Sequence, residues 1–401
     1  MLLQELLIVF LYGLSISFVI LILIPVVVLF VECVAALLPN KNSNNYEEIA
    51  HPQVCILIPA HNEASNIAMT LSSLNSQLTS QDRVIVVADN CTDDTVKIAH
   101  EYGVTVIERN DILRRGKGYG LDFGLQYIST NPPEVVIFID ADCIVHPGTV
   151  EKLAKTAVFN NQPVQSTNLL KPPQPITARH AVSTLAFLVK NLVRQRGMQR
   201  LKLPASLTGT GMAVPWCLVN KVSFASSNIV EDKQLGLDFA LVGYKPIFCE
   251  EALVTGYFPQ QQKAGDTQKT RWVHGHLEIL RSQFPQIIRM GLSQRRIDLI
   301  AIALDLTVLP ISLLIMLWFV CAVFANVISV ALGIIWLPAI TIIEGVFLLI
   351  AILSTWMKFG RADLPVQMLL SIPFYMLWNI GIYCSFIVKP QKVWVRTGRD
   401  T

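Results

Sequence analysis

The sequence predicts an α/β domain with a mostly parallel sheet, inserted between transmembrane helices at the two ends of the chain. Three observations predict it. Between about residues 52 and 259, short β-branched runs alternate with helical spacings, the pattern that builds parallel sheets. The segments on either side are almost continuously apolar. Charged residues make up only 15% of the 401 residues, where a soluble chain carries roughly a quarter, and the deficit lies in those two ends.

Over residues 2–38 the only charges are Glu5 and Glu32. A crossing takes about 20 apolar residues, so this stretch spans a bilayer once. It lacks the basic start of a cleaved signal peptide, and its apolar run is too long for one. Residues 1–40 are therefore expected to form a transmembrane helix, followed by a polar linker from Pro39 to Asn45. Residues 41–272 are expected to form the central α/β domain, 273–297 an amphipathic interfacial helix, 298–390 the C-terminal transmembrane helices and 391–401 a basic tail.

Within 298–390 the apolar segments read as 299–324, 328–356 and 365–388, with Lys358, Arg361 and Asp363 interrupting the last two. Positive charge favours the cytoplasmic side, which places the tail there and makes one of the three segments re-entrant or interfacial. Residues 177–202 and 276–296 mix apolar with basic side chains, as helices lying in a headgroup plane do. A solvated helix face is the plainer reading of both. The net charge of +3 gives no nucleic-acid footprint. The eight cysteines include no CxxC pair, which argues against a disulfide framework or a zinc site.

In the central domain, residues 54–59, 84–88, 104–107 and 135–139 read as strands, and 66–78 and 95–102 as helices. Ligands of such sheets bind beyond the carboxyl ends of strands, where the polar motifs of this chain fall. Asp140-Ala141-Asp142 follows one strand; two carboxylates so spaced can share a hard divalent cation, or simply shape a turn. Asp89 follows a second strand, placed to accept hydrogen bonds from a ribose or a base, while Asp93 or Asp94 caps the next helix. Pro59 and Glu63 end the first strand. The loop Arg114–Gly120 offers glycines for close backbone approach and Lys117 for a phosphate, without forming a P-loop. Glu231-Asp232 precedes a helical stretch, where a carboxylate can act as general base or merely favour the helix start. Gln268, Arg271 and Trp272 lie just before the second interfacial stretch; Arg271 suits a leaving diphosphate and Trp272 an apolar wall for a sugar. His274 and His276 lack a third ligand nearby and read as surface groups rather than a metal site.

In this order, ending in Gln-x-x-Arg-Trp before apolar helices, the motifs resemble membrane-bound glycosyltransferase family 2 enzymes, the group of cellulose, hyaluronan and chitin-oligosaccharide synthases and relatives of ceramide glucosyltransferase. The resemblance covers about residues 55–272, the flanking apolar pattern and the Trp394/Arg396-Thr397/Arg399 tail. It implies a GT-A fold and inverting transfer of a hexose from a nucleotide-diphosphate sugar, a UDP-sugar foremost. It implies that Pro59, Glu63, Asp89 and Lys117 line the nucleotide pocket, that Asp140 sits by the nucleotide, and that Asp142, with Asp140, holds Mg2+ or Mn2+. Asp232 would be the general base, and Gln268, Arg271 and Trp272 would hold the diphosphate and the acceptor end. Residues 207–212 resemble the acceptor-side loop. Ala88 and Val230 depart from the family pattern, standing where many relatives have Asp and Thr.

The expected setting is an integral membrane protein of the cell membrane with a cytoplasmic catalytic domain. Its partners would be the lipid bilayer and a lipid or growing-glycan acceptor, and no nucleic acid. Synthesis of a cell-surface polysaccharide is the leading reading, and a glycolipid synthase adding one sugar is the alternative. A transporter would require polar residues within its spans, where Asp305 and Glu344 are the main ones.

Overall fold

A computed structural model describes residues 2–39, 49–361 and 364–391. Most of the expected linker, Asp363 and the basic tail from residue 392 lie outside the described residues. Helix α1 (Leu2–Ala35) opens the chain. A strand–helix alternation follows: β1 (Val54–Ala60), α2 (Ile67–Asn75), β2 (Arg83–Asp89), α3 (Thr95–Glu101), β3 (Thr105–Arg109), α4 (Lys117–Ile128) and β4 (Val135–Phe138). β1, β2 and β4 are buried on both faces, which is why they read as unbroken apolar runs. All their mutual pairings are parallel. Alternate residues supply two cores. Ile56, Ile58 and Ile137 pack with Leu71 and Leu153 on one face, and Leu57, Val87 and Phe138 with Leu121 and Phe239 on the other.

The second half brings β5 (Ile144–Val145), α5 (Thr149–Asn160), β6 (Val164–Lys171) and α6 (Ala178–Leu188). A π-helical turn (Val189–Val193) leads to α7 (Arg194–Arg200), β7 (Met212–Pro215), α8 (Trp216–Val219), α9 (Glu231–Leu241) and β8 (Ile247–Tyr257). The sheet has eight strands in the order β3-β2-β1-β4-β7-β6-β8-β5. β7 pairs antiparallel with β4 and β6, β5 pairs antiparallel with β8, and β6 pairs parallel with β8. The chain builds outward from β1 to β3, then returns to lay β4 on the other side of β1. That reversal opens a crevice at the carboxyl ends of β1, β2 and β4.

Beyond the sheet come α10 (Gln262–Ser293), α11 (Ile297–Thr307), α12 (Ile311–Leu332), α13 (Trp336–Thr355) with a π-helical end (Trp356–Gly360), α14 (Val366–Leu369) and α15 (Ile372–Val388). Among the described residues, three helical stretches are long and apolar enough to cross a membrane: Ile8–Ala35, Ile311–Leu332 and Trp336–Gly360. The C-terminal pattern differs from expectation in three ways. The segment expected over 299–324 is two helices, because Pro310 has no N–H to continue α11. The last segment begins only at Ile372 and holds 17 residues, about 25 Å of helix against a hydrocarbon core of about 30 Å. The boundary expected after residue 272 falls inside α10, which runs unbroken.

Helix α1 packs on α12 and α13 through Val26, Leu29 and Cys33 against Leu314, Ala325 and Leu348. The same cluster contains Leu188, Val189 and Val193 of the α6–α7 region. Three of the arginines there are paired within the protein. Arg194 pairs with Glu32 of α1 and Asp305 of α11, at 2.6 Å each. Arg196 and Arg200 both pair with Glu250 of β8. The stretch over 177–202 is thus a joint between the sheet and the apolar helices.

Candidate active site

The site is built on the ends of strands. β1 and β2 are followed by Asn62 and Asn90, both in the left-handed region (φ 56° and 53°), which Asn tolerates better than most residues. These turns lock the two loops together. Asn62 Oδ1 accepts from Thr92 N at 2.6 Å, and Glu63 N donates to Thr95 Oγ1 at 2.8 Å. At the end of β2, Asp89 receives Arg109 Nη1 at 2.7 Å and Asn90 Nδ2 at 2.7 Å. Its own carbonyl accepts His61 Nδ1 at 2.6 Å. Burial pushes the Asp89 carboxyl above its ordinary value, and the Arg109 charge opposes that shift. Arg109 lies two residues past the expected end of its strand; β3 begins and ends later than expected, at Thr105 and Arg109.

Lys117 stands at the first turn of α4 rather than in a loop. Its Nζ forms an ion pair with Asp140, donates to the Gly209 carbonyl at 2.6 Å and lies 4.0 Å from Glu231. Those carboxylates hold the buried ammonium above its ordinary pKa against the effect of burial. The glycines of this region serve different ends. A Cβ on Gly120 would sit 3.8 Å from Asp89 and from Pro59, so Gly120 forms the cleft wall. A Cβ on Gly124 would meet Leu57, so that glycine seats the helix on the sheet.

Asp140 N donates to Thr210 Oγ1 at 3.0 Å. The loop carrying Thr210 is fixed by buried Gln165, which accepts from Thr208 N at 2.8 Å and donates to Thr210 O at 2.9 Å. Gly209 has φ 91°, and a Cβ there would come 3.3 Å from Asp232 Oδ2 and 3.4 Å from Lys117 Nζ. Only glycine suits that backbone and that approach. Glu231 and Asp232 occupy the first turn of α9, where the helix dipole favours acids. Burial raises the Glu231 carboxyl to about 7; the Lys117 charge opposes the rise and the Asp232 charge adds to it.

Gln268, Arg271 and Trp272 lie three and four residues apart on α10 and so share one face. Trp272 meets Phe187 with ring centroids 5.6 Å apart. The residues singled out in the sequence, Pro59, Glu63, Asp89, Lys117, Asp140, Asp142, Asp232, Gln268, Arg271 and Trp272, all line one cleft of about 700 Å³. His61, Asn191, Lys190 and Lys233 also line it and were not singled out. Nothing local marks them. Lys190 reads as one more charge on a basic stretch, and Lys233 as part of a helix start.

Asp140, Asp142 and Cys143 bring ligand atoms within 4.8 Å of one another. The carboxylates are hard oxygen donors, matched to Mg2+ or Mn2+. Burial and the two neighbouring aspartates push the Cys143 thiol well above its ordinary range, and its soft sulfur is a poor match for such a hard cation. His274 and His276, expected at the surface, are buried instead. They bond to different elements. His274 Nε2 donates to the Ile382 carbonyl of α15 at 3.0 Å, and His276 Nδ1 accepts from Lys233 Nζ at 2.6 Å.

Residues 55–214 match the profile of glycosyl transferase family 2, and residues 135–377, more than half of the chain, that of glycosyl transferase family group 2. The chain belongs to glycosyltransferase family 2. This family 2 glycosyltransferase is 25% identical over 268 residues to the probable glycosyltransferase YdaM of Bacillus subtilis, covering 62% of this chain and 61% of that one. It is 31% identical over 201 residues to the 4,4'-diaponeurosporenoate glycosyltransferase of Staphylococcus aureus, covering 46% of this chain and 51% of that one. The chain thus spans about half to three-fifths of the length of these curated relatives. Its fold is that of the mannosyltransferase PcManGT from Pyrobaculum calidifontis, solved with GDP-Man and Mn2+, at TM-score 0.56 and 17% identity, over 92% of this chain and 99% of that one.

Proposed function

We propose that this family 2 glycosyltransferase moves a hexose, with inversion, from a nucleotide-diphosphate sugar to a hydroxyl of a membrane-associated acceptor. A UDP-sugar is the leading donor. The observation that carries the reading is the convergence of Asp89, Asp140, Asp142, Asp232 and Arg271, from four separate segments, on one cleft at strand ends. In this reading Asp89 takes hydrogen bonds from the nucleoside, in a position set by Arg109. Asp140 and Asp142 hold Mg2+ or Mn2+, which supplies charge neutralisation of the departing diphosphate. Arg271 and Gln268 hold the diphosphate from the α10 side. The Asp232 carboxylate removes the proton of the acceptor hydroxyl. The oxygen forms a bond to the anomeric carbon as the bond from that carbon to the phosphate oxygen breaks, and the nucleoside diphosphate leaves with the electron pair.

For the acceptor, the sequence favours a cell-surface polysaccharide. A specific observation favours the alternative, a lipid that receives a sugar. Beside the cleft lies a second chamber of about 340 Å³, bounded by Phe187, Trp272, Leu309 and Ile311 and closed by the apolar helices. A long glycan needs a polar path, whereas this chamber has mainly apolar walls at the base of α12. In this reading the long apolar helices anchor the chain in the cell membrane, with the catalytic domain on the cytoplasmic side.

The test is Asp232→Asn. The expected result is loss of at least about 1,000-fold in transfer, since a general base contributes on the order of 10²–10⁴, with donor binding unchanged by calorimetry. Transfer at the wild-type rate would remove Asp232 from the role of base.

A further inference from the structure

Where the cleft and the second chamber meet, two buried lysines stand without an ion-pair partner among the described residues. Lys190, on the π-helical turn, and Lys233, on α9, line both spaces, and His276 of α10 lines the chamber. Arg194, one turn from Lys190, is already neutralised by Glu32 and Asp305. Among the described residues, neither lysine has a carboxylate within ion-pair distance. Both amines are held below their ordinary pKa, chiefly by burial, and the charge of Lys190 adds to the effect on Lys233. His276 is 8% exposed. Burial and Lys233 keep its ring neutral, so Nδ1 accepts from Lys233 and Nε2 carries the hydrogen. That Nε2 faces the Val308 backbone. Buried cations without partners are costly, and an anion placed among them relieves that cost. The chamber walls beyond include the apolar Val189, Leu309 and Ile311.

We propose that Lys190, Lys233 and His276 form a binding site for the anionic head group, phosphate or carboxylate, of a lipid acceptor. The anion sits at the mouth of the chamber, with its apolar chain toward α12. Lys233 adjoins Asp232 in sequence, and the charge of Asp232 acts on both lysines. An accepting hydroxyl carried beside the bound anion is thereby delivered to the base, while the anion itself does not react. The inference rests on the reading of a lipid acceptor given above.

The experiment uses the full chain in detergent and four probes, with binding read by native mass spectrometry. Dioleoyl phosphatidylglycerol is compared with dioleoylglycerol, and oleic acid with oleyl alcohol. The expected result is at least a ten-fold preference for the anionic member of one pair, and that pair identifies the head group as phosphate or carboxylate. Lys190→Gln combined with Lys233→Gln brings the preference within two-fold, while Lys190→Arg with Lys233→Arg retains it. The ratio within a pair reports charge recognition and does not follow a general loss of fold. Equal binding of both members of each pair, or a preference that survives the glutamine substitutions, overturns the proposal. Calorimetry with UDP-glucose and GDP-mannose runs in parallel. Donor binding without an anion preference sinks only this inference, and an anion preference without donor binding sinks the transferase reading instead.

Discussion

At the residue scale the cleft gathers acids around a single buried ammonium. Lys117 offsets Asp140 directly and Glu231 at longer range, and both carboxyls are pushed up by burial. Glu231 has an ordinary value of 4.5 and a folded value of about 7, so between those limits the folded chain holds a proton that the unfolded chain releases. Its contribution therefore becomes unfavourable as pH rises through that window and is neutral below it. Glu231→Gln is expected to gain stability relative to wild type as pH rises from 5 to 8, on the order of 1–3 kcal/mol, read as a growing difference in melting temperature. A pH-independent difference would show that Glu231 is not protonated in the fold. Asp142→Asn is expected to lose both the Mn2+-induced rise in melting temperature and the Mn2+-dependent transfer. Retention of either with chelator-treated protein would take the cation away from Asp142.

At the scale of elements, α7 is pinned between the sheet and α1. Gly197 of α7 faces the Glu32 backbone so closely that a Cβ would overlap the carbonyl. The close approach lets Arg194 reach Glu32 at 2.6 Å, and Arg196 Nε donates to the Ala36 carbonyl at 2.8 Å. Gly197→Val must push α1 and α7 apart, and overpacking of a tight contact costs about 1–3 kcal/mol. The expected result is a lower melting temperature in detergent together with a smaller preference for the anionic lipid, because α7 is continuous with the turn that carries Lys190. An unchanged melting temperature would mean that the two helices do not pack this closely. Helix α10 has a comparable role. It carries Gln268, Arg271 and Trp272 in the cleft, His276 in the chamber and Ile279 in the packing against α11, so one rigid element joins the site to the apolar helices.

At the scale of the molecule, the α/β domain and the apolar helices share a core. Leu188, Val189 and Val193 are buried against α1 and its neighbours, and Arg194 ties α1 to α11. A fragment limited to residues 49–293 would expose those apolar side chains to water and lose the ion pairs of Arg194 with Glu32 and Asp305. Such a fragment is expected to aggregate or to be cleaved rapidly by protease within 177–202. A monodisperse, protease-resistant fragment that binds donor would show that the domain stands alone.

The sequence by itself determined the parallel half of the sheet, the apolar ends and the ten residues of the cleft. Each rests on a local signal: an apolar run of strand length followed at once by polar residues, or a charge-free stretch longer than a bilayer is thick. Tertiary structure alone decided the burial of His274 and His276. It also decided the partners of Arg194, which lie 162 and 111 residues away, and the meeting of Lys190, Lys233 and His276 beside an apolar chamber. The physical reason is the same in each case. A strand end or an apolar span is a property of neighbours along the chain. Whether a charge is solvated, paired or left to meet a ligand depends on which distant elements pack around it.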